Sequence, residues 1–91
     1  MSLNIRWTSK FKKDYTRCIS RGLDINLLND VIKMLSETQT LPPEYKDHKL
    51  TGEWEGFREC HIKPDWLLIY AIQNDVLVLT LARTGSHSDL F

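Results

Sequence analysis

Residues 57–82 read Phe57-Arg58-Glu59-Cys60-His61-Ile62-Lys63-Pro64-Asp65-Trp66-Leu67-Leu68-Ile69-Tyr70-Ala71-Ile72-Gln73-Asn74-Asp75-Val76-Leu77-Val78-Leu79-Thr80-Leu81-Ala82. Two polar punctuations cut this run into three strands. Pro64-Asp65 turns the chain after a strand over 57–63, and Asn74-Asp75 forms a two-residue hairpin turn between strands 66–73 and 76–82. The run from Leu67 to Ile72 is apolar on both faces. A strand of that kind is buried on both sides, so it belongs at the centre of the sheet, with helices over one face.

Upstream, Leu3-Asn4-Ile5-Arg6-Trp7 alternates apolar and polar, as a short half-buried strand does. Thr8 or Ser9 then caps a helix whose Phe11, Tyr15, Cys18 and Ile19 share a face, and Gly22 supplies its stop. Asp24 caps a second helix with the stripe Leu27, Leu28, Val31, Ile32 and Leu35, which ends by Thr38–Thr40 ahead of Pro42-Pro43. About two residues join the helices, so they pack as an antiparallel hairpin. Residues 39–56 are a long connection, anchored by Tyr45 and Trp54. The fold expected is α+β: a short N-terminal strand and a helical hairpin on a mainly antiparallel sheet of about four strands.

Length and composition set limits on function. Ninety-one residues with 42% apolar and 26% charged side chains make one ordinary globular domain, 1–91. No apolar stretch approaches the roughly 18–20 residues of a membrane span, and no signal-peptide pattern opens the chain. Cys18 and Cys60 offer neither a disulfide framework nor a C-x-x-C metal pair. A cytoplasmic, reduced setting is the expectation. Net charge is zero, yet residues 1–33 carry seven basic groups against three acidic ones. Lys10, Lys13, Arg17 and Arg21 stand opposite the apolar stripe of the first helix. That face is either solvated or turned toward a polyanion.

All three histidines, His48, His61 and His87, lie in the C-terminal half, each in a polar run: Lys46-Asp47-His48-Lys49, His61-Ile62-Lys63-Pro64-Asp65-Trp66 and Arg83-Thr84-Gly85-Ser86-His87. Histidine both gives and takes a proton near neutral pH. RNA is cut without a metal when its own 2′-hydroxyl attacks phosphorus. One group must remove that proton, another must protonate the 5′-oxygen, and a cation must meet the charge growing on the phosphoryl oxygens. Proton transfer by placed groups is worth about 10²–10⁴-fold. His48, His61, Asp65 and His87 suit the proton work. Arg83, a planar permanent cation, suits the phosphorane, with Lys46, Lys49, Arg58 and Lys63 behind it. Each has a plainer reading: a solvated loop for His48, a core group for His61, a C-terminal cap for His87, a turn for Asp65, core packing for Trp54 and Trp66. Three histidines also suggest zinc, but their intervals match no zinc pattern and no H-E-x-x-H occurs.

Two stretches carry a resemblance. The run from His48 to Tyr70, with His48-Lys49-Leu50-Thr51-Gly52-Glu53-Trp54-Glu55-Gly56-Phe57-Arg58-Glu59-Cys60-His61-Ile62-Lys63-Pro64-Asp65-Trp66, and the tail Arg83-Thr84-Gly85-Ser86-His87-Ser88-Asp89-Leu90-Phe91 closely resemble the YafQ branch of the RelE/ParE toxin superfamily. The likeness runs essentially from end to end. It implies a microbial-ribonuclease-like fold and a ribosome-dependent mRNA endonuclease that needs no cofactor and cuts in the ribosomal A site. It implies an active-site set of His48, His61, Asp65, Arg83, His87 and Phe91, with Trp66 beside Asp65, and none of these positions departs from the motif. The resemblance also implies a partner: a ribbon–helix–helix antitoxin of the DinJ type, through which alone the complex meets operator DNA. Within this picture His87 is the general acid, and the base is His48 or His61, with Asp65 orienting a histidine or sharing that role. Arg83 stabilises the phosphorane, Phe91 and Trp66 shape the pocket, and Lys10, Lys13, Arg17 and Arg21 dock the ribosome. The alternative is a non-catalytic ParE-like toxin that poisons DNA gyrase, against which the three histidines together speak.

Overall fold

The structure is a computed structural model and describes residues 2–91. Its elements are β1 (Asn4–Trp7), α1 (Ser9–Ser20), α2 (Ile25–Thr38), β2 (His48–Lys49), β3 (Arg58–Lys63), β4 (Trp66–Gln73), β5 (Val78–Gly85) and α3 (His87–Leu90), with short 3-10 turns at Pro43–Tyr45 and Gly52–Trp54. The strands form one sheet in the order β1-β5-β4-β3-β2. β1 runs parallel to β5 and every other pairing is antiparallel. The doubly apolar β4 is therefore central, as its sequence requires.

Both long helices start where their capping residues stand. The Thr8 hydroxyl accepts from Phe11 N at 3.0 Å and the Asp24 carboxylate from Asn26 N at 3.2 Å. A cap of this kind stabilises by about 1 kcal/mol. In α2 the residues Leu28, Val31, Ile32 and Leu35 are buried. They meet Phe11 and Cys18 of α1, then Cys60, Trp66, Leu68, Tyr70, Leu79 and Leu81 from one face of the sheet. Tyr15 Oη ties the helices together by donating to Asn29 Oδ1 at 2.9 Å. The other face of β4 is also closed, for Leu67 and Ile69 are fully buried. They pair with His61 and Glu59 of β3, and directly paired residues share a face. That second face carries the site.

Several boundaries differ from expectation. The sheet has five strands rather than about four, because β2 interrupts the long connection; two residues are too few to show a period of two. The hairpin after β4 is a four-residue turn, Asn74–Leu77, with Leu77 in the left-handed region at φ 55°. Asp75 is not the glycine that a two-residue turn prefers at its second position. β5 consequently begins at Val78 and runs on to Gly85, drawing Arg83, Thr84 and Gly85 out of the expected tail and into the sheet. The helix connection is likewise four residues, Arg21–Asp24, with Gly22 at φ 77°. β1 is an exposed edge rather than half-buried, and Leu3 just before it enters the core. In α1, Ile19 is exposed and Asp14 is buried in the apolar stripe. No helix among the described residues is long and apolar enough to cross a membrane, and Cys18 and Cys60 are free and buried.

Candidate active site

The sheet brings the three histidines together from far apart in the chain. His48 on β2 pairs across with Glu59 on β3, and His61 lies two residues farther along the same face. The His48 and His61 rings are 6.4 Å apart between centroids. His87 is the first residue of α3, which follows β5, and its ring stands 5.9 Å from that of His61. The result is a row: His48, His61, His87.

Glu59 lies beneath two of them. Its side chain is 8% exposed, with Oε1 3.4 Å from His48 Nε2 and 3.9 Å from His61 Nε2. Among the described residues the carboxylate's ion-pair partners are these two imidazoles. His48 Nδ1 sits 2.8 Å from the carbonyl of Lys46. A carbonyl only accepts, so Nδ1 carries a proton and Nε2 is the nitrogen turned to Glu59. Glu59 is absent from the expected set. Alternation was the available signal: a glutamate two residues before a histidine on one strand shares its face.

Asp65 fixes His87. Its Oδ1 accepts from the His87 backbone N–H at 2.9 Å and from His87 Nδ1 at 2.6 Å. These two hydrogen bonds hold the Asp65 carboxyl below the usual carboxylate range. They also settle the tautomer, leaving Nε2 as the nitrogen that exchanges protons. α3 is locked by a capping box: the Ser86 hydroxyl accepts from Asp89 N, and Asp89 Oδ2 accepts from Ser86 N. Asp89 also takes two hydrogen bonds from Arg21, at 2.6 and 3.2 Å, which hold its carboxyl well below the ordinary range.

Arg83 is 19% exposed and gripped by Asp14, with Nε donating to Oδ2 at 2.6 Å and Nη2 to Oδ1 at 3.1 Å. Its Nη1 makes no hydrogen bond among the described residues. Lys46 and Lys63 border a cleft of about 310 Å³ together with Tyr45 and His61. Phe91 ends the chain 63% exposed, its N–H on the His87 carbonyl at 2.8 Å.

Other expected site residues stand elsewhere. Trp66 is 3% exposed in the helix-covered core, where its Nε1 donates to Thr84 Oγ1 at 3.0 Å, so it supports the site and does not wall it. Alternation with Leu68 and Tyr70 places it there. Arg58 faces away from His61, its guanidinium held by Asp47 at 3.1 Å, beside a Tyr70 hydroxyl bonded to the same carboxylate. Lys49 pairs with Arg58 and shares that averted face. The basic stripe of α1 is divided. Lys10 and Lys13 are exposed and without an ion pair among the described residues, whereas Arg17 is committed to Asp14 and Arg21 to Asp89.

Residues 3–91 match the family described as the bacterial toxin of type II toxin–antitoxin system, YafQ. The chain is 38% identical over 89 residues to the mRNA interferase toxin YafQ of Escherichia coli K12, covering 97% of this chain and 95% of that one. Its fold is similar to a chain of the E. coli DinJ-YafQ toxin–antitoxin complex, with TM-score 0.90, 36% identity and coverage of 100% and 99%. It is similar too to a metal-bound toxin from Helicobacter pylori, with TM-score 0.90, 47% identity and coverage of 98% and 99%. Among the described residues of this chain, no group of three or more His, Cys, Asp or Glu is placed to hold a metal ion.

Proposed function

This chain belongs to the YafQ toxin family of bacterial type II toxin–antitoxin systems, and on that premise we propose that it is an mRNA interferase whose histidine row cuts messenger RNA in the ribosomal A site and stops translation. The observation that carries the reading is the convergence of His48, His61 and His87 on one face, with His87 fixed by Asp65. The 2′-hydroxyl attacks phosphorus as its proton passes to His48 or His61. Glu59, close to both Nε2 atoms, stabilises the imidazolium that forms. His87, donating from Nε2, protonates the departing 5′-oxygen, and the products are a 2′,3′-cyclic phosphate and a free 5′-hydroxyl. Asp65 orients His87 and does not act as the base. Arg83 meets the phosphorane through Nη1, with Phe91 against the substrate and Lys46 and Lys63 along the backbone. No step is routed through a metal.

Residues 1–91 act as one toxin domain in the cytoplasm. E. coli YafQ forms a complex with DinJ, and the partner of this chain is an antitoxin of the same kind, which mediates any contact with operator DNA. The ribosome supplies what a chain of zero net charge lacks, a means of holding RNA. Lys10 and Lys13 make the part of the ribosome-facing surface that is not tied up in ion pairs. Primer extension on mRNA from cells expressing the chain tests the reading. In-frame cuts at particular codons, lost in His87→Ala at unchanged melting temperature, are expected. Intact mRNA with DNA damage would instead favour a gyrase poison, and rapid cleavage of naked RNA would remove the ribosome from the account.

A further inference from the structure

Asp14 occupies a position where helix periodicity calls for an apolar side chain. It lies between Phe11 and Cys18 in the buried stripe of α1 and is itself 2% exposed. Its carboxylate accepts four hydrogen bonds: from Arg83 Nε at 2.6 Å, Arg83 Nη2 at 3.1 Å, Arg17 Nη2 at 2.7 Å and Thr84 N at 3.2 Å. Sheet topology explains the last of these. β1 accompanies β5 only as far as Trp7 and Leu81. The chain then turns into α1, with Thr8 Oγ1 on the Ala82 carbonyl at 2.9 Å, and lays Asp14 along the open edge of β5. Asp14 takes the Thr84 N–H that a longer β1 would have paired. The register shift opposite Ile69 and Tyr70 makes Ala82 an extra residue, and a bulge of this kind re-aims the side chain that follows it, here Arg83.

We propose that Asp14 is the positioning residue for Arg83, holding the Nε edge of the guanidinium so that Nη1 is presented to the scissile phosphate. The proposal rests on the reading of Arg83 as the phosphorane stabiliser. A carboxylate against a catalytic cation would ordinarily cancel the charge it aims. Here two arginines share one carboxylate, so the cluster keeps a net positive charge. Arg17 is drawn in at a cost, since its Nε is buried without a partner. A fork held on one edge leaves the other edge preorganised, which is where electrostatic stabilisation of a transition state is effective. Lys at position 83 could fill the ion pair but not this two-edged role.

A double-mutant cycle tests it: wild type, Asp14→Asn, Arg83→Ala and both together, each as the full chain on programmed ribosomes. The readings are the single-turnover cleavage rate at saturating ribosome, ribosome affinity and thermal melting. Asp14→Asn is expected to slow cleavage about tenfold to a hundredfold, the scale of a misplaced catalytic group, with affinity unchanged. With Arg83 already Ala, the same substitution should cost less than about twofold, since residues acting through one another are not additive. Equal losses in both backgrounds would make Asp14 merely structural and overturn the proposal. A full rate for Asp14→Asn beside a slow Arg83→Ala would overturn it alone. A full rate for Arg83→Ala would overturn the reading of Arg83 and the proposal with it. Should Asp14→Asn melt below the assay temperature, Asp14→Glu replaces it in the cycle, keeping the charge while moving it by one methylene, under the same criteria.

Discussion

Replacing Glu59 by Gln separates what this carboxylate does for chemistry from what it costs the fold. Gln keeps the shape and removes the charge. In the wild type, Oε1 stands 3.4 Å from His48 Nε2. At an effective dielectric of about 20, a full carboxylate–imidazolium pair at that distance interacts by about 5 kcal/mol. His48 is 49% exposed, so water screens much of this. On the proposed mechanism a remainder of at most about 1 kcal/mol favours the imidazolium formed as the 2′-hydroxyl loses its proton, equivalent to roughly fivefold in rate. His61, less exposed but 3.9 Å away, gains a comparable amount if it is the base.

The stability change should run the other way. A carboxylate largely withdrawn from water costs stability unless donors compensate, and among the described residues no N–H or O–H makes a hydrogen bond to the 8%-exposed Glu59 side chain. Glu59→Gln is therefore expected to leave the melting temperature unchanged or to raise it, by up to about 4–8 °C if about 1 kcal/mol is recovered. The assay is single-turnover cleavage on programmed ribosomes, with thermal melting on the same preparations. A wild-type rate for the variant would refute the electrostatic role. So would a slower rate that merely tracks a lowered melting temperature, for then Glu59 would be a structural support.

Three further outcomes are expected. Asp65 and Asp89 have carboxyls held below their ordinary range by the bonds that dock α3; a depressed folded-state value means that the stability they supply is present above about pH 4 and lost as pH falls through the folded value, so amide protection factors at His87–Leu90, corrected for the intrinsic exchange rate, should fall on acidification before those of the core. Lys10→Gln with Lys13→Gln should weaken ribosome binding and flatten its salt dependence without changing the saturated rate, whereas Arg21→Gln should slow the saturated rate by loosening α3; identical behaviour of the two sets would erase the division of the stripe. EDTA should leave cleavage on intact ribosomes untouched, and activity that returns only with added zinc would refute a metal-independent row.

How much of this was legible in the sequence depends on how local each signal is. β4 could be placed at the centre because its run from Leu67 to Ile72 is apolar on both faces. The Asp24 cap was equally readable, and the first cap to within Thr8 or Ser9, since a cap is decided within one helical turn. β2 was not, because two residues carry no period and pair only once β3 is present. The extension of β5 to Gly85 depends on a bulge that no composition marks. In the site, histidines announce themselves by type, and Asp65 by its place in the turn. Glu59 and Asp14 look like ordinary surface acids until the faces of β3 and α1 are assigned. Then a charge facing inward becomes the most informative residue on its element.

The exposed part of the row has a consequence for how such a site works. His48 and His87 are 49% and 55% exposed, and Asp65 is 68% exposed. On the proposed mechanism the acid, base and cation each have a carboxylate partner, Asp65, Glu59 and Asp14, and the only enclosure beside the row among the described residues is the cleft of about 310 Å³ at His61. Orientation of the reacting atoms can supply as much as about 7–11 kcal/mol of a barrier, and a shallow row offers little of it. On that mechanism the toxin supplies the rigid half: Glu59 beneath two rings, Asp65 behind the third, Asp14 behind Arg83. The missing half is a strand of RNA already bent and immobilised. On the proposed mechanism a ribosome with a codon in its decoding site presents such a strand, so the toxin itself need not enclose it.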